Sequence, residues 1–582
     1  MSSEEEVAKN SVRRNSLIMA SGTLASRLTG MIRTILLAAA VGTTGIAANA
    51  YQTGSSVPQI VYTLISGGLF NAILVPQIVR TLKSEDSKKH LDKLVTLSIL
   101  LLLGITAIMM LGTNILTSIF LSSSWTGPQR ALANAFTLWC TPQIFFYGLY
   151  TVLGQILAAK DKFTMYAWSS VAANVVSSAG FIVFLVLFGN ASRQPLEFWT
   201  ADKIALTAGT WTLGVAVQAL LLFIPLIRSG YRFGFSWGFR GIGLRSMGSV
   251  AVWSLAITVM MQITSIITSR IASGAPLAAG DEFRVAGNGS YQNAMSIYIL
   301  PYSLFAVSLV TATFPQISSF VAEHKLQKAS EVVSRTMRSS SLIMFFFTSV
   351  MLAIPLELAA VFLPSVDGEQ MMLLSPIIFT MTLGLPFTSL VLLAQRTFYA
   401  FEDGKSPFII QAVQSAIMVA IQVGIWLLAP AQIQTSLLGL AVSVSYIVCI
   451  PLLLVMVYRR FRGDFAIGHL VVVHIKILLA SVGAYVASEG TEYVLSALLR
   501  FNPSTSSGRT AWFVAVFICA VVALVGFAAY ALVLVALGTR EFTDGMRAVL
   551  ARLSSLPILP ALFSKISSVD SSTKSSRRRH AK

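Results

Sequence analysis

The chain has 582 residues, 55% of them hydrophobic and 11% charged, with a mean hydropathy of +0.75 and a net charge of +18. A soluble domain usually carries about 25% charged residues, so the composition excludes that class and reads as an all-α polytopic membrane protein. Apolar runs of about 20 residues, enough to cross a bilayer core about 30 Å thick, recur from end to end.

Residues 1–14 are acidic at their start and read as a cytoplasmic segment, with no cleavable signal peptide because the first apolar run is too long. Fourteen spans are expected: 15–42, 47–79, 94–121, 131–159, 164–189, 204–228, 246–274, 288–318, 339–364, 371–401, 407–429, 434–457, 469–488 and 511–538. The second and eighth contain Pro58 and Pro301, which predict kinks because proline removes a backbone donor. Between the eighth and ninth spans, FVAEHKLQKASEVVSRTMR (320–338) reads most simply as a structural linker, with an amphipathic helix on the inner face as the alternative. Residues 539–582 read as a basic, Ser-rich cytoplasmic tail, solvated and disordered.

Charge supports this count. With both termini cytoplasmic, all but ten of the 42 Lys and Arg fall in inner segments, as the positive-inside rule requires. Arg130, Arg193, Lys203, Arg270, Arg284, Arg500 and Arg509 lie toward the outer side, and Arg27, Arg33 and Lys476 within spans. The positive charge therefore implies attraction to anionic lipid head groups and no nucleic-acid partner.

A repeat runs through the chain. LFNAILVPQI (69–78) resembles LVTATFPQI (309–317), and GQILAAKDKF (154–163) resembles QRTFYAFEDGKSPF (395–408), at offsets of about 240 residues. Six spans separate the copies, so both enter the membrane in one sense, as parallel repeats. The expected domains are an N-lobe at 15–228, a C-lobe at 229–457, and two further helices at 458–538.

No catalytic or metal-ligating pattern is present, and no cofactor is expected. Cys140, Cys449 and Cys519 lie in apolar runs and read as small hydrophobes. Chemistry concentrates in SRLTGMIRTILLAAAVG (26–42), whose Arg27 and Arg33 have no acidic neighbour. An Arg at mid-bilayer costs about 2.5–3.5 kcal/mol on insertion scales and marks function by default. Arg27 is expected about 18 Å into its span, with Arg33 about 9 Å further and about 120° around the helix. With no Asp or Glu expected deep in any span, the counter-ion is an anionic ligand, and guanidinium suits phosphate bidentately. Asn49, Gln52, Gln59 and Tyr62 of the second span are candidates for the cavity wall, or for plain interhelical hydrogen bonding.

The first-span motif resembles that of the MurJ (MviN) lipid II flippases of the MOP exporter superfamily. So do VPQIVYTLISGGLFNAILVPQI (57–78), ILPYSLFAVSLVTATFPQI (299–317) and QRTFYAFEDGKSP (395–407), over about residues 12–540. The resemblance implies alternating-access export of lipid II from the inner to the outer leaflet of a bacterial cytoplasmic membrane. It places the pyrophosphate at Arg27 and Arg33, and the polyprenyl tail in a groove formed partly by the last two helices. Asn49, Tyr62 and Ser296 stand where relatives often carry Asp, Arg and Arg, as in a divergent, Gram-positive-type member. The alternatives are a flippase for another polyprenyl-linked glycan, and a non-transporting scaffold that meets cell-wall assembly proteins through the basic tail.

Overall fold

The computed structural model describes residues 3–66, 87–160, 162–230, 233–236, 249–506 and 508–554, and among these the regular structure is helical. The repeat motif at 69–78 lies outside the described residues, as does most of the 229–248 linker. Among the described residues eleven helices are long and apolar enough to cross a membrane, or twelve if one bent pair counts as a single span. Two of the fourteen expected spans are not among them. The second is described only over Gly45–Ile65, and the fourth is divided at Thr141 and Pro142 into Gly127–Cys140 and Gln143–Ala159.

The first half comprises α1 (Ser3–Val41), α2 (Gly45–Ile65), α3 (Ser87–Leu111), α4 (Thr113–Phe120), α5 (Gly127–Cys140), α6 (Gln143–Ala159), α7 (Phe163–Phe188) and α8 (Ala201–Arg228). The second half comprises α9 (Ser249–Ala279), α10 (Asn288–Ala322), α11 (Leu326–Ala353), α12 (Pro355–Phe362), α13 (Gly368–Thr382), α14 (Leu385–Ala400), α15 (Lys405–Leu428) and α16 (Ala431–Arg460). Then come α17 (Ile467–Leu499), α18 (Gly508–Ala536) and α19 (Arg540–Ser554).

Each half buries two apolar clusters, one toward the face where α1 begins (the near face) and one toward the opposite, far face. In the first half, Leu91, Leu102, Leu153 and Leu222 form the near cluster, and Tyr51, Phe136, Phe181 and Trp199 the far one. In the second half, Ile317, Met337, Phe398 and Phe461 pack near, and Leu374, Ile378, Met381 and Leu438 far. A fifth cluster, including Phe345, Ile477 and Tyr530, joins α11 to α17 and α18. Small residues let helices approach where lipid supplies no hydrophobic drive: a Cβ on Gly22 would stand 2.7 Å from Ala167 Cβ, fixing α1 against α7.

Element ends recur along the chain. Ala159 and Ala400, which close α6 and α14, are 241 residues apart, and Phe188 and Leu428 are 240 apart. Both the fourth and tenth spans are interrupted, the tenth by a 47° bend between Thr382 and Leu385.

Several expectations need correction. The helix α2 runs past buried Pro58 to Ile65 without a break and packs closely on α5. Pro301 does mark a break, a π-helical turn at Tyr302–Ala306. Residues 320–338 form no surface helix. The chain turns at His324, which adopts a positive φ, and Leu326 opens a 28-residue helix reaching Ala353. Its Ala329, Val333 and Met337 face protein, not head groups. The tail is helical over Arg540–Ser554, because Glu541 docks it against Arg338 at 2.8 Å.

Candidate functional site

The apolar window of α1 begins at Ser21. Arg27 is therefore six residues in, about 9 Å, and Arg33 about 18 Å, so Arg33 is the deeper of the two. The expectation of 18 Å for Arg27 counted residues 15–20, before Ser21, as part of the span.

The two arginines address different groups. Arg27 Nη1 donates to Ser303 Oγ, in the π-helical turn after Pro301. This bond crosses from the first half to the second, with no carboxylate in it. Arg33 turns into its own half. Its guanidinium carbon lies 4.2 Å from the Trp211 ring centroid, and its Nε is buried without a protein hydrogen bond. Trp211 in turn lies 5.8 Å from the ring of buried Tyr51. The π-turn is what carries Ser303 to Arg27, and no sequence signal singled that serine out.

Of the second-span candidates, Gln59 is exposed. Tyr62 donates to or accepts from Thr151 Oγ1 and packs on Tyr147 at 5.3 Å, so it belongs to the near core of its half. Asn49 is fully buried, and its Oδ1 accepts from the Gly289 N–H at 2.8 Å. In this conformation it joins α2 to the start of α10 rather than lining an open wall. The structure brings neither Asn49 nor Gln59 onto a group shared with Arg27 or Arg33, whereas Tyr62 shares Tyr147 with Arg33, which stands within electrostatic reach of that ring.

Asn49 is one member of a far-face seal that the sequence did not reveal. Gly42 and Gly45, both at positive φ, turn the chain between α1 and α2. That turn presents Thr43, whose N–H and hydroxyl both donate to Gln370 Oε1, at 3.1 and 2.7 Å. Ser290 Oγ donates to Thr43 O at 2.9 Å, and Gly45 N–H to Glu282 O at 2.9 Å. Around this buried set, Arg193 pairs with Asp367 at 3.0 Å and Glu369 at 2.7 Å. Glu369 and Asp367 together raise the Arg193 pKa above its ordinary value. On another side Trp125 Nε1 donates to Ser273 O at 3.0 Å. Among the described residues, most hydrogen bonds joining the halves lie toward the far face; Arg27–Ser303 lies below it, and Ser236 N–H, in the linker, donates to Thr96 Oγ1 at 3.3 Å on the near side.

Buried carboxylates lie near helix starts, Asp92 in α3 and Glu357 in α12. Glu357, in α12, is 4% exposed and stands within electrostatic reach of Glu489 and Glu492 on α17. It sits inside an apolar run, so it was legible, but on helices other than those of Arg27 and Ser303. The three cysteines are free, and Cys140 and Cys449 are buried. Among the described residues no group of three His, Cys, Asp or Glu side chains is placed to hold a metal ion.

The chain is similar in sequence and fold to known proteins. A family model described as lipid II flippase MurJ matches residues 37–502. A probable lipid II flippase from Synechocystis is 23% identical over 397 residues, 67% of this chain and 72% of that relative. One from Bdellovibrio bacteriovorus is 24% identical over 553 residues, 90% of this chain and 95% of the relative. Among solved structures, a lipid II flippase MurJ in an inward closed conformation aligns with a TM-score of 0.66 at 19% identity, covering 89% of this chain and all of that one (100%). An inward-facing multidrug resistance MATE family transporter of the MOP superfamily aligns at 0.59 and 15% identity, covering 77% of this chain and 98% of its own.

Proposed function

The chain belongs to the lipid II flippase MurJ family, and on that premise we propose that it moves lipid II from the inner to the outer leaflet of the bacterial cytoplasmic membrane. It does so by alternating access, without covalent chemistry. The near face, with both termini, is cytoplasmic, and the far face is external. The moving bodies are the lobes at 15–228 and 229–457, and the seal described above is the closed external gate.

The observation that carries this reading is Arg27. It spans the gap between the halves, and its partner is a hydroxyl rather than a carboxylate. A hydroxyl is readily exchanged for a phosphate, which guanidinium binds with shorter, charge-assisted bonds. In this reading Arg27 takes the pyrophosphate from the cytoplasmic side. The family match begins at residue 37, beyond both arginines, so their role rests on this geometry. Arg33 supports the site by fixing α1 against Trp211 and adds positive potential in a low-dielectric setting. A few isoprene units of the prenyl tail lie in the apolar groove of about 240 Å³ lined by Phe345, Phe387, Leu390, Leu454, Leu470 and Leu478, with the rest of the tail in lipid. Basic near-face segments meet anionic lipid head groups.

The test is the fraction of lipid II exposed at the cell surface, measured with total lipid II in cells depleted of the protein. Exposure collapses while total precursor holds or rises. Unchanged exposure overturns the reading.

A further inference from the structure

Cations on the far face are disfavoured by topology, so each calls for an account of its partners. Arg193 and Arg284 pair with Asp367 or Glu369. Lys203 donates to Phe198 O at 2.9 Å and lies over the Phe198 ring. Arg270, like Arg130, Arg500 and Arg509, makes no ion pair among the described residues, and what marks it out is the cavity beside it. Its Nη1 donates to the last carbonyls of α4, Ser118 O at 3.0 Å and Ile119 O at 3.1 Å. Those carbonyls form the negative end of a helix and fix the guanidinium plane. The Nε and Nη2 edge carries no protein hydrogen bond among the described residues, and that edge is the one guanidinium uses for bidentate phosphate binding.

Arg270 borders a cavity of about 440 Å³ between the α4–α5 loop, α9 and α15, lined also by Ser122, Ser123, Ser124, Val423 and Trp426. Its depth is that of a head group. Arg270 lies 20 residues from Val250, the start of its span, or about 30 Å, and Trp426 lies 21 residues along α15, about 32 Å. Trp is the residue of the membrane–water interface. Ile263, Leu427 and Leu428 leave exposed apolar surface beside the cavity. That surface suits a hydrocarbon chain, while the cavity itself is too small for a disaccharide with its peptide.

We propose that Arg270, with Ser122, Ser123, Ser124 and Trp426, binds the phosphate of a lipid in the leaflet at the far face. Phospholipid phosphodiester and polyprenyl diphosphate share this chemistry. The site does not depend on the flippase reading; only the name of the leaflet rests on the orientation proposed with it.

Native mass spectrometry of the full-length protein tests the site, with phosphatidylglycerol and undecaprenyl diphosphate as separate probes and diacylglycerol as the phosphate-free control. Arg270→Gln weakens retention of a phosphate lipid roughly tenfold, the usual worth of a charge-assisted hydrogen bond. Arg509→Gln, an exposed cation on the same face, leaves it unchanged. Val423→Trp fills the cavity without touching the bonds to α4, gives the same loss, and decides the matter alone if Arg270→Gln does not fold. Loss confined to phosphatidylglycerol identifies a phospholipid, and loss confined to undecaprenyl diphosphate identifies a polyprenyl lipid. Equal retention by wild type and both cavity variants, or no retention of either probe by wild type, overturns the proposal.

Discussion

At the scale of single residues, two arginines six positions apart have unlike surroundings. Arg27 reaches a hydroxyl on the opposite half, whereas Arg33 stacks on Trp211 within its own. Their substitutions should therefore fail differently. Arg27→Ala abolishes growth of cells that depend on the variant while leaving its level in the membrane unchanged; Arg27→Lys restores growth in part, since a point charge cannot bind bidentately. Normal growth of Arg27→Ala cells would sink the phosphate role. Arg33→Ala costs about 1–2 kcal/mol of cation–π stabilisation in a desolvated setting. Its melting temperature in detergent falls, and that of Arg27→Ala does not. If the two melt alike, the Trp211 contact is not what holds Arg33.

At the scale of elements, the far-face seal mixes buried hydrogen bonds with exposed ion pairs, and their magnitudes differ. Arg193 is half exposed, and pairs of that kind are worth about 0–1 kcal/mol. Gln370 and Thr43 are buried, and orphaning a buried donor costs about 1–3 kcal/mol. Gln370→Ala should therefore open the seal far more than Arg193→Ala. The readout is labelling, by an impermeant thiol reagent added outside cells, of a single cysteine introduced at Ala48. Greater labelling with Arg193→Ala than with Gln370→Ala would assign the seal to charge instead. The docking of α19 is a second case. Arg338 and Glu541 are only 14% and 13% exposed, and His469 also reaches Glu541 at 3.2 Å. Glu541→Ala removes the anchor and speeds tryptic cleavage at Arg547; an unchanged rate would mean that the helix is held by its apolar face.

At the scale of the whole molecule, the alternation of charge between segments, the length of the apolar runs and the repeat of about 240 residues were all legible. Each depends on order along the chain alone. An apolar run must bury its backbone donors in helix, so composition already determined an all-helical membrane protein, and the family motifs determined its kinship. Helix breaks were legible only in part. Pro301 coincides with a π-turn, and Gly384 with Pro386 marks the 47° bend, whereas the helix runs past Pro58 without a break. What tertiary structure alone decided was which groups meet. Thr43 and Gln370 are 327 residues apart, and Arg27 and Ser303 are 276 apart. No local pattern encodes such pairs, since they arise where the two halves of the chain pack together. A polar residue on a helix reads the same in sequence whether it faces a cavity or a neighbour, and only packing assigned Asn49 to a helix start and Arg27 to the gap.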